Sequence, residues 1–468
     1  MKHPKLLGAA YAAILMAGLL GCSGSDDTEP GAGHGGTSHA GGSGAAAGTG
    51  GVGNAGGGGA GATGGGGGAP QAAPLFGTFH TPNNRPISDW EADILTFYGG
   101  SSIVDPNATA DLQDCIANSG TWGAAYAVFG EDSYALYFAQ PGDPEYPIAG
   151  ASGVARPVCP LDSAEAWAGN VRIPTGAKRW DSNTDTPIDV DPATLATTDI
   201  HFTVIDLERN RIYAFYTGSG GPLGVQGGSW VSGWAGCDQL YGDDGAILAA
   251  SSYDIRYGCP GGGGYPPAGC GLEGLGAGVA AGQGSGSGDS NGYLGPHGVI
   301  VPQDFDDTGW SGEAVGTLHH ALRCSMPTAY QWGYSWPMAD TVNGDPSRFV
   351  RDGQIMRLSP SFDVAATGAP AYEQRLMRTM QVYGCVQSDF ADWGMALFAL
   401  SAWPGAGLLH DANDPWSAAG MAGMPPAAID EAVAFHAGAS SGGAKSDLLP
   451  SMPMSELEFI LPNGAAHY

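Results

Sequence analysis

The sequence predicts a mainly β fold: a jelly-roll-like β-sandwich with a few packed helices and long Gly-rich loops. Three observations predict it. β-Branched and aromatic residues gather in short runs, clearest in "HFTVIDLERNRIYAFYTG" (201–218). Helical periodicity is confined to two stretches near the C-terminal end. A Gly-rich excursion without periodicity, Cys259 to Gly298, interrupts the middle as a long surface loop or insertion.

The first run reads as a hairpin. His201 to Asp206 is one arm, Glu208 to Asn210 a polar turn, and Ile212 to Tyr216 the other arm. Both faces are mostly apolar, which suits strands inside a two-layer sandwich. "AAYAVF" and "YALYFA", around residues 124–139, predict a second strand pair across Gly130-Glu131-Asp132. Further on, Pro370 suits a first helical turn. Tyr372, Leu376, Met380 and Tyr383 then recur at helical spacing, with Arg375, Arg378 and Gln381 on the other side and Gly384 as the stop. A second helix is predicted over Ala427 to His436.

The chain divides into three parts. Residues 1–21 carry two lysines, then a short apolar run to Leu20, which is the pattern of a secretory signal. The run is short of the about 20 apolar residues a membrane-spanning helix needs. Its end, Leu19-Leu20-Gly21-Cys22, resembles the lipobox of bacterial lipoproteins. That resemblance implies lipidation of Cys22 and, with Ser23 following, the outer membrane of a Gram-negative bacterium, on its surface or periplasmic face. Residues 22–74 are almost all Gly, Ala, Ser and Thr, a composition that cannot bury enough apolar surface to fold and so forms a flexible tether. Residues 75–468 are expected to be one folded domain, and the protein a monomer.

Charge bounds the partners. With 17 basic and 46 acidic residues the net charge is −29, which repels nucleic acid and anionic lipid. No nucleic-acid partner is expected, and membrane contact is expected through the lipid anchor alone. A polyanionic substrate would need a local basic patch or bound cations. Cysteines show no zinc spacing, so no metal centre is expected. Export permits disulfides, and Cys259 with Cys270 is the best local pair. "DSNTD" (181–185) places Asp181, Asn183 and Asp185 like calcium ligands, but Thr186 stands where the turn Gly should be and Pro192 where the closing Glu should be. A solvated loop is the preferred reading, with calcium the one cofactor left open. No Gly-x-Ser-x-Gly or His-Glu-x-x-His motif occurs, which disfavours α/β-hydrolase and common zinc-protease chemistry.

Several residue types suit a site. His201 opens a strand and Asp206 closes it on the opposite face, so the two cannot pair within it. Asp389 follows the first helix, as either a turn Asp or a functional carboxylate; Asp363 is better read as a cap. Trp230, Trp234, Tyr330, Trp332, Tyr334 and Trp336 could together cover the C–H faces of sugar rings, although each alone reads as core. In "HHALRCSM" (319–326), strand alternation puts His320, Leu322, Cys324 and Met326 on one face, and His319, Ala321, Arg323 and Ser325 on the other. By that pattern His319 is the wet residue and His320 lies on the apolar side.

The folded part resembles a group of exported, mostly uncharacterised bacterial proteins that often occur beside carbohydrate-binding modules. The landmarks are "NNRPI" (83–87), "IHFTVID" with "IYAFY" (200–216), "GGSWVSGW" (227–234), "HALRCSMP" (320–327), "YSWPMAD" (334–340), "MRLSPSFDV" (356–364), "MQVYGCVQSD" (380–389) and "SELEFI" (455–460). Ser359 and Ala214 stand where the group usually has acidic residues, and Asp389 lacks the group's following Asn. The resemblance implies a polysaccharide setting. It also marks His320, the start of His-Ala-Leu, as a half-desolvated proton-transfer residue on a cleft floor, with His319 dispensable. The first expectation is therefore a surface-anchored glycoside hydrolase using Asp206 and Asp389, since hydrolysis needs two carboxylates. The alternatives are a polysaccharide lyase, with His201 or His320 as base and Arg323 neutralising a uronate, and a non-catalytic glycan-binding lipoprotein.

Overall fold

The structure, a computed structural model, describes residues 86–89, 91–118, 125–129, 134–150, 170–181, 184, 186–196, 200–206, 208–209, 211–218, 220–239, 298–326, 349–351, 353–390, 394–402, 413–439 and 447–462. Among them the fold is strand-rich with few helices: α1 (Glu91–Tyr98), α2 (Pro106–Asn118), α3 (Ala371–Val382) and α4 (Pro426–Ala439). The first strands are β1 (Ala125–Val128), β2 (Tyr134–Phe138), β3 (Glu145–Tyr146), β4 (Ile148–Gly150), β5 (Val171–Arg172), β6 (Lys178–Asp181), β7 (Thr186–Asp189) and β8 (Thr194–Leu195). Next come β9 (Ile200–Asp206), β10 (Arg211–Thr217), β11 (Pro222–Gln226), β12 (Ser229–Ser232) and β13 (Trp234–Gln239). The C-terminal strands are β14 (Leu322–Met326), β15 (Ile355–Leu358), β16 (Cys385–Phe390), β17 (Met395–Phe398), β18 (Asp447–Leu449) and β19 (Leu457–Phe459).

The expected hairpin is β9–β10, antiparallel, with Tyr216 opposite His201 and Arg211 opposite Asp206. It lies inside a four-stranded sheet of order β13-β10-β9-β2. All of β9 is buried, and alternation explains why. Leu136, Phe138 and Ile205 face the main core, whereas Tyr137, Phe202, Val204 and Phe215 face a second core containing Trp230 of β12. A sheet covered on both faces needs no polar side, so its sequence reads apolar throughout.

The second expected pair does not form. β1 and β2 both exist, but β1 joins the large sheet between β17 and β18, while β2 runs parallel to β9. β2 gains the seven-residue β9 as its neighbour, and β1 is paired along both edges, by β17 and by β18.

The large sheet has seven strands in the order β18-β1-β17-β14-β16-β15-β19. β1 is parallel to β17 and β14 to β16; the remaining pairs are antiparallel. α3 buries Leu376, Met377 and Met380, and α4 buries Ala428, Ala432 and Phe435, in the same core as Leu322, Met356 and Leu397. α3 starts after Pro370 and stops where expected, because Gly384 takes φ 75°. A Cβ there would meet the Met356 carbonyl at 2.8 Å, so only glycine fits. α2 was not anticipated. Its cap is Asp105, which accepts the Asn107 and Ala108 amides.

A disulfide joins Cys324 of β14 to Cys385 of β16. Cys259 and Cys270 lie outside the described residues, as do Cys22, the signal and the tether. Among the described residues no helix is long and apolar enough to cross a membrane.

Candidate functional site

The chain entering β14 builds the most unusual local structure. Pro302 opens a 3-10 turn whose Asp304 carboxylate accepts the Val301 amide at 2.7 Å. A second short turn, Gly312–Ala314, reverses the chain, and Gly316 at φ 77° brings it back toward the first. Asp304 and Asp307, three residues apart, thereby each meet one of the adjacent histidines.

His319 Nε2 lies 3.0 Å from Asp307 Oδ1, and its ring stacks on Trp310 with centroids 4.3 Å apart. The residue is 5% exposed and has φ 65°, the sole positive φ at a non-glycine among the described residues. Such a backbone costs on the order of 1–3 kcal/mol and persists only where the surroundings impose it. Here they do: the His319 amide is held by Thr317 Oγ1 at 3.1 Å while the ring is held by Asp307 and Trp310.

Asp307 is itself clamped. Its carboxylate accepts Gly316 N at 3.0 Å, Arg375 Nη1 at 3.0 Å and Arg375 Nη2 at 3.2 Å. Arg375 also donates to Glu431 at 2.9 Å from both Nε and Nη2, and to the Thr317 carbonyl at 2.8 Å. All of its N–H donors are thus occupied. α3 supplies Arg375 and α4 supplies Glu431, so two helices position one loop carboxylate.

Ionisation follows from these contacts. Burial alone would raise the Asp307 carboxyl, but Arg375 and the Gly316 amide outweigh it and hold it below the usual carboxylate range. Burial holds the His319 imidazole below its ordinary value, against the opposing pull of Asp307. A carboxylate only accepts, so Nε2 carries the ring proton. Nδ1 then keeps the lone pair, with no hydrogen-bond partner among the described residues. This is a neutral imidazole with its tautomer fixed by a carboxylate, the arrangement of an oriented general base.

His320 is built differently. It is 0% exposed; Nδ1 donates to the Ala321 carbonyl at 2.8 Å, and Nε2 shares a proton with Asp304 Oδ2 at 3.1 Å. The half-desolvated cleft-floor position expected for it is replaced by full burial with both nitrogens bonded. β14 starts only at Leu322, so the strand alternation does not reach either histidine.

The other expected site residues are dispersed. His201 is 7% exposed and packs against Tyr216 at 5.1 Å, at the opposite end of β9 from Asp206, about 16 Å away at strand rise. Asp206 is fully buried, accepts the Arg209 amide at 2.9 Å, and faces Arg172 and Arg209, which Glu145 and Glu208 also engage. Burial raises its carboxyl above the ordinary value despite those cations. Asp389 stands on another sheet, opposite Ser325 in the far half of β14 from His320. Trp230 is a core residue, not a glycan wall: it is 0% exposed and packs on Phe202 and Phe215. Arg323 is 1% exposed with its guanidinium over the Phe398 ring, so it does not face substrate. Trp234 is placed on β13 opposite Tyr216. Trp332, Tyr334 and Trp336 lie outside the described residues, as do Asn183 and Asp185. Asp363 does cap, accepting the Ala366 amide.

Sequence reasoning missed Asp304, Asp307, Trp310, Arg375 and Glu431. The available signal was "DFDD" (304–307) shortly before "HH": two carboxylates three apart on a turn can meet two adjacent imidazoles. Among the described residues no cluster of metal-ligating side chains occurs. The chain matches no family model, and no curated protein or solved structure is significantly similar to it.

Proposed function

We propose that the protein is a polysaccharide-degrading enzyme in which His319 is the general base and Asp307 its orienting carboxylate. The observation that carries the reading is the conformation of His319: a strained backbone, a fixed tautomer and one uncommitted ring nitrogen. Strain of this kind concentrates at functional sites, and burial holds the imidazole below its ordinary value, which favours the neutral ring that a base requires. A polysaccharide as substrate is supported by the landmark resemblance to exported proteins found beside carbohydrate-binding modules. The lipobox-like Leu19 to Cys22 supports anchoring at the outer membrane. As a fold, a sandwich is supported for the two four-stranded sheets that meet through Phe202, Phe215 and Trp230.

The test is a reducing-end assay of the full chain over plant, fungal and bacterial polysaccharides, repeated with His319→Ala. Cleavage that disappears in the variant supports the reading. Retention on a polysaccharide column with no cleavage would sink it in favour of a glycan-binding lipoprotein. For the anchor, Cys22→Ala should move the protein from membrane pellets to the soluble fraction.

A further inference from the structure

Resting on His319 as the base, we propose that residues 308–313 form a lid, which lifts Trp310 off the imidazole to admit substrate and then closes again. His319 is 5% exposed. A proton donor has to come within about 3 Å of Nδ1, so some part of the cover must move. Three residues hold the imidazole and its backbone: Asp307, Thr317 and Trp310. Asp307 is fixed, because Arg375 grips it through two nitrogens. Thr317 is fixed as well: it is buried, its hydroxyl donates to the Ala314 carbonyl at 2.6 Å, and its own carbonyl accepts Arg375 Nη1. Trp310 is carried differently. From 308 to 313 every residue except Trp310 is exposed, and Trp310 itself is only half-buried.

Both ends of this strap are anchored, at Asp307 and at buried Ala314, while its middle is not. Its backbone bonds are local turns: Trp310 N to the Asp307 carbonyl at 3.0 Å, and Val315 N to the Gly312 carbonyl at 3.4 Å. Among the described residues, two side-chain contacts tie it down. One is the Trp310–His319 stack, and the other is an exposed hydrogen bond from Ser88 Oγ to Glu313 Oε1 at 2.8 Å. A Cβ on Gly309 or Gly312 would meet nothing within 4 Å, so no neighbour confines the backbone at either point. A segment with few buried contacts and exposed bonds opens at far lower cost than the core.

Closing matters as much as opening. The Nδ1 lone pair lies in the plane of the ring, whereas Trp310 covers a face of it. Substrate at the ring edge and indole on the ring face therefore do not compete for one space. The open lid gives passage; the closed lid restores the ring plane and keeps water out. His320 supplies an internal reference for such motion. It is the next residue, it is 0% exposed, and both of its nitrogens are bonded to groups outside the strap, Asp304 and the Ala321 carbonyl. Lid opening bares His319 alone, whereas unfolding bares both.

The experiment treats the full chain with diethyl pyrocarbonate, which acylates neutral imidazole nitrogens, and reads each histidine by fragmentation mass spectrometry. The same chain unfolded in urea gives the unprotected rate. His319 is expected to label more slowly than in the unfolded chain but faster than His320. Its rate should be flat in low urea, because a lid exposes little surface, while the His320 rate climbs with unfolding. Ser88→Ala, remote from the imidazole, should speed His319 labelling by about 2- to 10-fold, the worth of one hydrogen bond, and leave His320 unchanged. Trp310→Ala should speed it further; if that variant fails to fold, Ser88→Ala decides. Equal rates and equal urea dependence for the two histidines overturn the proposal, since the strap then opens only by unfolding. So does an unprotected rate at His319 in the folded chain, or an indifferent Ser88→Ala. The labelling needs no substrate. Opening of the strap in a chain that cleaves no glycan upholds the lid and sinks the base; a fixed strap with His319-dependent cleavage sinks the lid and leaves the base standing.

Discussion

The His319 imidazole lies flat on the Trp310 indole, with the ring planes at 0° to one another. Stacking fixes the plane of the ring, and the bond to Asp307 fixes its rotation within that plane. Little freedom is left for Nδ1, as a proton acceptor requires. His319→Ala is expected to lower turnover by about 10²- to 10⁴-fold, the usual worth of a positioned base. Tm should fall modestly, because alanine keeps the Cβ that strains a left-handed backbone and loses the ring contacts to Asp307 and Trp310 that impose it. A Tm collapse with normal specific activity in the folded remainder would make His319 structural.

His320→Ala should do the reverse. It strips a buried carboxylate of its partner, which typically destabilises by about 3–5 kcal/mol. Urea titration measures this directly. Replacing Asp304 and His320 together should cost less than the sum of the single changes, since no charge is then left stranded.

Arg375→Lys should destabilise by about 2–4 kcal/mol. One ammonium cannot span two carboxylates and a carbonyl as the guanidinium does, and Asp307 and Glu431 are left facing each other. Activity should fall with it, through Asp307. A variant as stable and active as the original would show that the clamp contributes nothing.

Acid should weaken the fold before carboxylates protonate. His319 and His436 are both held below the ordinary 6.5 by burial. As pH falls through that value the unfolded chain binds their protons and the folded chain does not, so stability drops, levelling off below the folded values. Asp307, held low, adds stability that is present above the ordinary carboxylate value and lost as pH falls through its folded one. Thermal melts from pH 8 to pH 5 should show a falling Tm, with a shallower fall for His436→Leu. A Tm that rises on acidification contradicts this.

Peptide mapping without reduction should recover Cys324 joined to Cys385. Removing the bridge, which closes a sequence separation of 61, should cost about 2–4 kcal/mol. Both thiols titrating freely in the unreduced, unfolded chain would rule it out.

Local patterns were legible and distant ones were not. α3 announced itself by a 3.6-residue period and by proline and glycine at its ends, α4 was expected over 427–436, and β9–β10 showed as a turn between two apolar arms. The β14–β16 bridge could not be read, because nothing in the spacing of Cys324 and Cys385 says their strands run side by side. The same limit hid the site. Alternation assumed that the strand began at His319, whereas the left-handed turn there depends on Asp307 and Trp310, and so on a loop that carries no period. Arg375 read only as a residue opposite the apolar stripe of its helix, because Glu431, its half-buried partner, belongs to a helix 56 residues away.

The order of the large sheet also sets a timetable. β1 pairs with β17 and β18, and the opposite edge is β19, which ends at Phe459. A chain leaving the ribosome N-terminus first holds β1 long before either neighbour exists, and the sheet is not complete until Phe459 has appeared. Such distant pairings are slow to form. Until then the apolar residues of β1 stay without their native cover, so truncations that remove β17, β18 or β19 should aggregate instead of folding in part.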